Sequence, residues 1–222
     1  MKVRLIAGLL LGAMLASAAS DVPKRLQQAT VAFKEVMGIP DKAIPQELLN
    51  RAHCIVIVPD LKKGAFIIGG KYGRGFVSCR KSGAGWSAPG AVRVEGGSLG
   101  FQIGGSEMDV FMLVMNERGA ERLLGNKFTL GGDATVAAGP VGRVAQAETD
   151  ARMTAEILTW SRARGLFAGV ALNGATLRED DDWIFDLYGK KLTNKDIVTG
   201  NIATPKAAAG LLGELNRYSS RK

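Results

Sequence analysis

The sequence predicts an α+β fold: a curved antiparallel β-sheet or barrel-like sandwich, rich in glycine, with flanking helices at the N- and C-termini. Three observations carry this expectation. Of 29 glycines in 222 residues, 19 fall between Gly64 and Gly142. They cut the chain into short apolar runs at Ala65–Ile68, Phe76–Cys79, Ala91–Val94, Leu99–Ile103 and Val110–Met115, which read as strands joined by tight turns. Gly96-Gly97-Ser98 and Gly104-Gly105-Ser106 lie eight residues apart. That spacing suits an antiparallel meander, because a parallel pair needs a crossover of about a dozen residues or more. Glycine at this density also points to bulges, curvature or close backbone approach.

The elements follow in order. Residues 1–18 read as a secretory signal peptide: Lys2 and Arg4, an apolar run from Leu5 to Leu15, and cleavage after Ala18 or Ala19. The run is shorter than the roughly 20 residues a bilayer span needs, and no cysteine stands at the cleavage point. Periplasmic or secreted location follows as an expectation, with residues 19–222 as one domain. Asp21 to Met37 is an amphipathic helix, with Val22, Leu26, Ala29, Phe33 and Val36 on its stripe, ended by Gly38 and Pro40. Ile44 to Ala52 is a second short helix. Cys54 to Val58 (CIVIV) is a buried strand beside Pro59, and Asp60 to Lys63 reads as a turn. Glu117 to Gly125 is a helix, and Lys127 to Asp133 is extended. Val141 to Ala151 is ambiguous. Glu156 to Trp160 is extended, Ser161 to Gly165 a turn, and Leu166 to Leu172 a buried strand. Arg178 to Tyr188 is a helix whose opening acids suit its dipole. Thr193 to Val198 is a helical turn. Thr204-Pro205 caps a last helix striped by Ala208, Leu211, Leu212, Leu215 and Tyr218.

Composition narrows the function classes. A hydrophobic content of 46% permits a sizeable core. The net charge of +8 favours anionic partners, although basic excess also keeps proteins soluble. Export argues against nucleic acid. The two cysteines, Cys54 and Cys79, sit at ends of predicted strands, so a disulfide and a pair of buried thiols both fit.

No catalytic constellation emerges. His53 is the only histidine and has no evident partner to orient it as a base. Gly85-Trp86-Ser87-Ala88-Pro89 lacks the final glycine of a nucleophile elbow. Ala65 to Tyr72 lacks the first glycine and the Ser/Thr of a phosphate loop. The cysteines lack zinc spacing, and Glu179–Asp182 lacks the alternation of a calcium loop. The chain is therefore expected to be no enzyme, with no cofactor and no metal. The basic residues are more informative. Lys62 and Lys63, Lys71 and Arg74, and Arg80 and Lys81 fall at predicted turns, and Arg162 and Arg164 flank another. Converging turns of this kind could hold an anionic membrane surface, helped by a helix lying at the interface.

The order of motifs is more specific than any of them alone. Ala52-x-x-Ile55-x-Ile57-x-Pro59 leads to Lys63-Gly64-Ala65-Phe66 and Gly70-x-x-Gly73-x-Gly75. Trp86-Ser87-x-Pro89, Gly100-x-Gln102-x-Gly104 and Lys127-Phe128-x-Leu130-Gly131 follow. Ala138-Gly139-Pro140-x-Gly142-Arg143, Ser161-x-x-x-Gly165-Leu166-Phe167-Ala168-Gly169 and Tyr188-Gly189-Lys190 complete the series. From about Leu26 to Tyr218 the chain strongly resembles the SYLF domain family.

The resemblance implies a lipid-binding module, not an enzyme. Eukaryotic members bind phosphoinositides and regulate or bind actin, often beside an SH3 or FYVE domain. With a signal-like start and neither companion domain, the expectation is a bacterial envelope version for which actin is not expected as a partner. An N-terminal amphipathic helix contributes to lipid binding in such relatives. The matching segment makes Lys24, Arg25 and Lys34 headgroup contacts and Leu26 and Phe33 apolar anchors, with Lys62, Lys63, Lys71 and Arg74 adding basic turns. The expected partner is an anionic, phosphoinositide-like phospholipid surface. The alternative is an envelope protein–protein or peptidoglycan interaction module.

Overall fold

In the computed structural model, residues 20–65, 69–83, 85–98, 104–125, 127–142 and 154–219 are described. The signal-like segment, the run Leu99–Ile103, Phe66–Ile68 and most of Val141–Ala151 lie outside them.

One sheet organises these residues. Its strands are β1 (Cys54–Ala65), β2 (Gly69–Cys79), β3 (Gly90–Ser98), β4 (Gly104–Val114), β5 (Lys127–Thr129), β6 (Val136–Ala138), β7 (Ile157–Ala163), β8 (Leu166–Gly169) and β9 (Thr176–Glu179). The order is β5-β9-β3-β2-β1-β4-β7-β6, with β8 also pairing β7. The sheet curls into a half-barrel, and helices flank it at both ends of the chain. All pairings between these strands are antiparallel except β6 on β7.

The central strand shows why the sequence reads as it does. Ile55 and Ile57 face a core built with the helices, while Cys54, Val56 and Val58 face a second core on the opposite side. Both faces are buried, so the strand is apolar throughout rather than alternating. Cys54 and Cys79 are register partners across β1 and β2 and are joined by a disulfide, which settles the choice that spacing left open.

The helical side consists of α1 (Val22–Met37), α2 (Gln46–Arg51), α4 (Asp181–Tyr188) and α6 (Ala209–Tyr218); α5 (Asn194–Thr199) places Ile197 in the same core and Val198 in the opposite one, and α3 (Glu117–Leu123) lies elsewhere on the sheet. The predicted stripe of α1 is buried in full. Asp180 caps α4 by accepting from the Trp183 N–H, and Gly189 ends it in the left-handed region. Thr193 and Asp196 form a capping box on α5. The final helix starts as a 3-10 turn at Lys206–Ala208 behind Pro205, so Thr204 is not its cap.

Three expectations change. The predicted turn at Asp60–Lys63 is a bulge: the register of β1 shifts between Val58 and Leu61, Asp60 has φ +48°, and the strand then continues. Gly75 makes room for it, since a Cβ there would sit 2.2 Å from the Ile57 carbonyl oxygen. The predicted buried strand Leu166–Leu172 shortens to β8 with alternating exposure. The helix read from Arg178 begins only at Asp181, because Thr176–Glu179 is a strand on β3. Elsewhere, Gly139 admits the Trp160 ring, which a Cβ would meet at 2.0 Å.

Candidate functional site

Helix α1 is clamped by charges as well as apolar packing. Arg25 Nη1 donates to the Pro59 carbonyl at 3.2 Å and to Asp60 Oδ2 at 3.1 Å. Gln28 Nε2 donates to the same carboxylate at 2.8 Å. The Asp60 N–H donates to Asp109 Oδ1 at 3.1 Å. Asp109 Oδ2 takes Arg162 Nε and Nη2 at 2.8 and 2.6 Å, and Arg162 reaches back to Glu35 on α1. Burial pushes the Asp109 carboxyl up and the Arg162 guanidinium down from their ordinary values. The Asp60 N–H and Arg25 oppose the rise at Asp109.

This arrangement redistributes the sequence-predicted lipid residues. Leu26 and Phe33 are fully buried, so the apolar anchors are committed to the protein's own core. Arg25 is committed to the bulge. Lys24 and Lys34 are exposed on the outward side of α1, with the half-exposed Val31 between them. Arg74 is not at a turn. It sits within β2 with Nε 2.7 Å from Asp180 Oδ2 and its guanidinium 4.8 Å above the Trp183 ring. Burial raises the Asp180 carboxyl, and Arg74 opposes that rise. Arg80 likewise caps the Leu49 carbonyl and stacks 3.8 Å above Trp86.

Lys63 and Lys71 do come together, whereas Lys62, the register partner of Tyr72, alternates to the other face of the sheet. All three lie in strands rather than turns, at the glycine-rich end of the sheet. Lys63 and Lys71 are direct register partners, with Gly64 opposite Gly70 next to them. Burial and the neighbouring Lys63 lower the Lys71 pKa. An open depression of about 710 Å³ beside them is lined by Lys62, Lys63, Gly64, Ser106, Glu107 and Arg164. Lys62 makes one exposed ion pair, 3.7 Å to Glu107. Two residues past Arg164, Leu166 is 73% exposed at the tip of the β7–β8 hairpin. Sequence reasoning noticed Arg164 as a charge but missed Leu166, which sits in an apolar run that reads as buried. The only signal was the Arg164-Gly165 pair, which turns with φ of +48° and +79°.

The opposite end of the sheet holds a depression of about 860 Å³ with the disulfide in its wall, beside His53, Lys81, Glu117, Glu121 and Lys195. Its charges are mixed. Among the described residues, no group of three or more His, Cys, Asp or Glu is placed to hold a metal ion, and no helix is long and apolar enough to cross a membrane.

Residues 95–218 match the sequence model of the Ysc84 family, described as "Las17-binding protein actin regulator". The chain belongs to the Ysc84 family. It is 38% identical over 187 residues to an SH3 domain-containing protein of Schizosaccharomyces pombe, covering 82% of this chain and 43% of that protein. It is 33% identical over 183 residues to human SH3 domain-containing YSC84-like protein 1, covering 82% and 53%. It is 35% identical over 176 residues to Protein YSC84 of Saccharomyces cerevisiae, covering 78% and 37%. This Ysc84-family chain spans about half the length of the curated relatives it matches. The family description and these relatives overturn one expectation: actin cannot be set aside as a partner, because the family is described by actin regulation. The first two of these relatives are named as SH3 domain-containing proteins.

Proposed function

We propose that this chain is a non-enzymatic module that binds anionic phospholipid headgroups at a membrane surface through the glycine-rich end of its sheet. The observation that carries the reading is the direct opposition of Lys63 and Lys71. Like charges facing one another across a sheet are destabilising, and a headgroup phosphate between them removes that cost. Each basic side chain near an anionic surface contributes about 1 kcal/mol, so Lys63, Lys71 and Arg164 together suffice for reversible attachment, with Lys62 at the rim of the same depression. The Lys62–Glu107 pair is exposed and costs little to open. Leu166 supplies the shallow apolar contact, in place of the buried stripe of α1.

Vesicle co-sedimentation tests this. The chain should bind anionic vesicles and not neutral ones, and binding should fall as salt rises. Lys63→Glu/Lys71→Glu should abolish it, whereas Lys24→Glu/Lys34→Glu should leave most of it. Salt-insensitive binding, or none, sinks the reading. The same assay with Leu166→Asp asks whether the hairpin tip inserts.

A second reading has its own support in the family description: an actin-linked protein partner. Co-sedimentation with actin filaments tests it directly. As to location, the Cys54–Cys79 disulfide supports an oxidising compartment, where such bonds persist. Thiol labelling in intact cells that finds both cysteines reduced removes that support.

A further inference from the structure

A second basic feature lies on another surface. Arg74, Arg93, Arg178 and Lys127 are successive register partners across β2, β3, β9 and β5. They form a ladder of four cations stepping by about 4.8 Å, the spacing of neighbouring strands. Alternation places them on the helix side of the sheet, because Val94, Leu177 and Phe128 point into the opposite core. Arg74 is neutralised by Asp180 and Asp182. Among the described residues, Glu95 is the carboxylate within ion-pair distance of Arg93 and Arg178; Arg93 also acts on Asp180, and Lys127 borders a depression with Asp133. Glu95 lies 3.1 Å from Arg93 Nε and 3.3 Å from Arg178 Nε. The side chains of Arg93, Arg178 and Glu95 are 37%, 39% and 41% exposed. The next row of the same face reads Tyr72, Glu95, Thr176 and Thr129, again as register partners, with Tyr72 50% exposed.

We propose that this ladder is a docking surface for an acidic protein segment. Directly opposed like charges are selected against in sheets, so three in a row with one carboxylate at ion-pair distance are placed for a ligand rather than for stability. Glu95 shows the chemistry the face accepts: one carboxylate held between two guanidiniums. Composition favours a protein over a lipid surface. Arginine and tyrosine are the residues enriched in protein interfaces, and lysine is depleted there. The ladder is arginine-rich beside Tyr72, whereas the glycine-rich end carries lysines. Arg93, Arg178 and Lys127 are distinct from Lys63, Lys71 and Arg164, although the row beside the ladder runs on from Tyr72 to Lys62.

The probe is a labelled synthetic Glu-rich peptide, read by fluorescence anisotropy at physiological salt, with anionic vesicles as the second arm. Arg93→Thr/Arg178→Thr/Lys127→Thr should weaken the peptide about tenfold or more and leave vesicle binding unchanged. Lys63→Gln/Lys71→Gln should do the reverse. The ladder variant's thermal midpoint should stay level or rise, since opposed charges are gone. The proposal is overturned if the wild type ignores the peptide, or if both variants lose it equally. It is also overturned if the ladder variant loses vesicles instead, or if it keeps the peptide while its midpoint falls.

Discussion

The Phe33 ring meets the Tyr218 ring edge-on, with centroids 5.9 Å apart and planes at 84°. Helix α1 is thus sealed against α6, above a sheet that both cover. A membrane-inserting α1 would have to break this contact and expose Val22, Leu26, Ala29 and Val36 as well. Phe33→Ala should therefore cost about 3–5 kcal/mol of folding stability, the range for truncating a buried aromatic. Urea unfolding measures it. Unchanged stability with lost vesicle binding would return Phe33 to the role of membrane anchor.

The Asp109–Arg162 contact should behave as a coupled pair. Arg162→Leu leaves a largely buried carboxylate without its main partner, a loss of about 3 kcal/mol or more. Asp109→Leu/Arg162→Leu should recover part of it, and the double-mutant cycle should show coupling. The pH dependence has a definite sign. Burial already holds Asp109 above the ordinary carboxylate value. A folded pKa above the unfolded one means the folded state binds more protons between the two, so stability falls as pH rises through that window. Removing Arg162 raises the folded pKa further and widens the window. The deficit of Arg162→Leu should thus shrink as pH is lowered towards 4, close to the unfolded carboxylate value. A deficit independent of pH would mean that lost packing, not the stranded charge, explains it.

Lys71 should trade stability against attachment. Its pKa is lowered by burial first and by Lys63 second. A lysine with a depressed folded pKa disfavours the folded state while it is charged, and that penalty shrinks as pH rises from the folded pKa and is gone above the unfolded one. Lys71→Gln removes the penalty at neutral pH. The variant should melt at an equal or higher temperature than the wild type while binding anionic vesicles more weakly. Lower stability in Lys71→Gln would mean that the lysine makes packing contacts the charge argument ignores.

Much of this was legible in the chain, and the failures share a cause. CIVIV is readable because both faces of β1 are buried, and the acids before Trp183 are readable because Asp180 caps a helix. Pro59-Asp60 looks like the end of a strand, yet β1 bulges there and runs on, carrying Lys62 and Lys63 out of the expected turn. Gly73 and Gly75 look like turn residues too, but they are gaps that admit the bulge. Leu26 and Phe33 could be assigned to lipid because an amphipathic stripe has the same period whether it faces a bilayer or a core. The cation ladder was invisible because Arg74, Arg93, Lys127 and Arg178 are scattered in sequence and meet only through register. Strands as short as β5, β6 and β9 carry too few residues to show a period.

The disulfide gives a last, independent test. Cys54 and Cys79 close a loop across 25 positions, and the chain-entropy treatment assigns such a closure about 3–4 kcal/mol. Both cysteines are buried, and they join β1 to β2 at the end of the sheet away from the lysines. Reduction should therefore lower stability by roughly that amount in urea unfolding and leave the lysine-bearing end intact. Cys54→Ala/Cys79→Ala should reproduce the loss and still bind anionic vesicles at temperatures where it is folded. If the reduced protein is as stable as the oxidised one, the bond contributes nothing to the fold, and the case for an oxidising compartment loses its physical basis. If the double variant is folded but no longer binds vesicles, the two ends of the sheet are coupled, and the lipid site extends beyond Lys62, Lys63, Lys71 and Arg164.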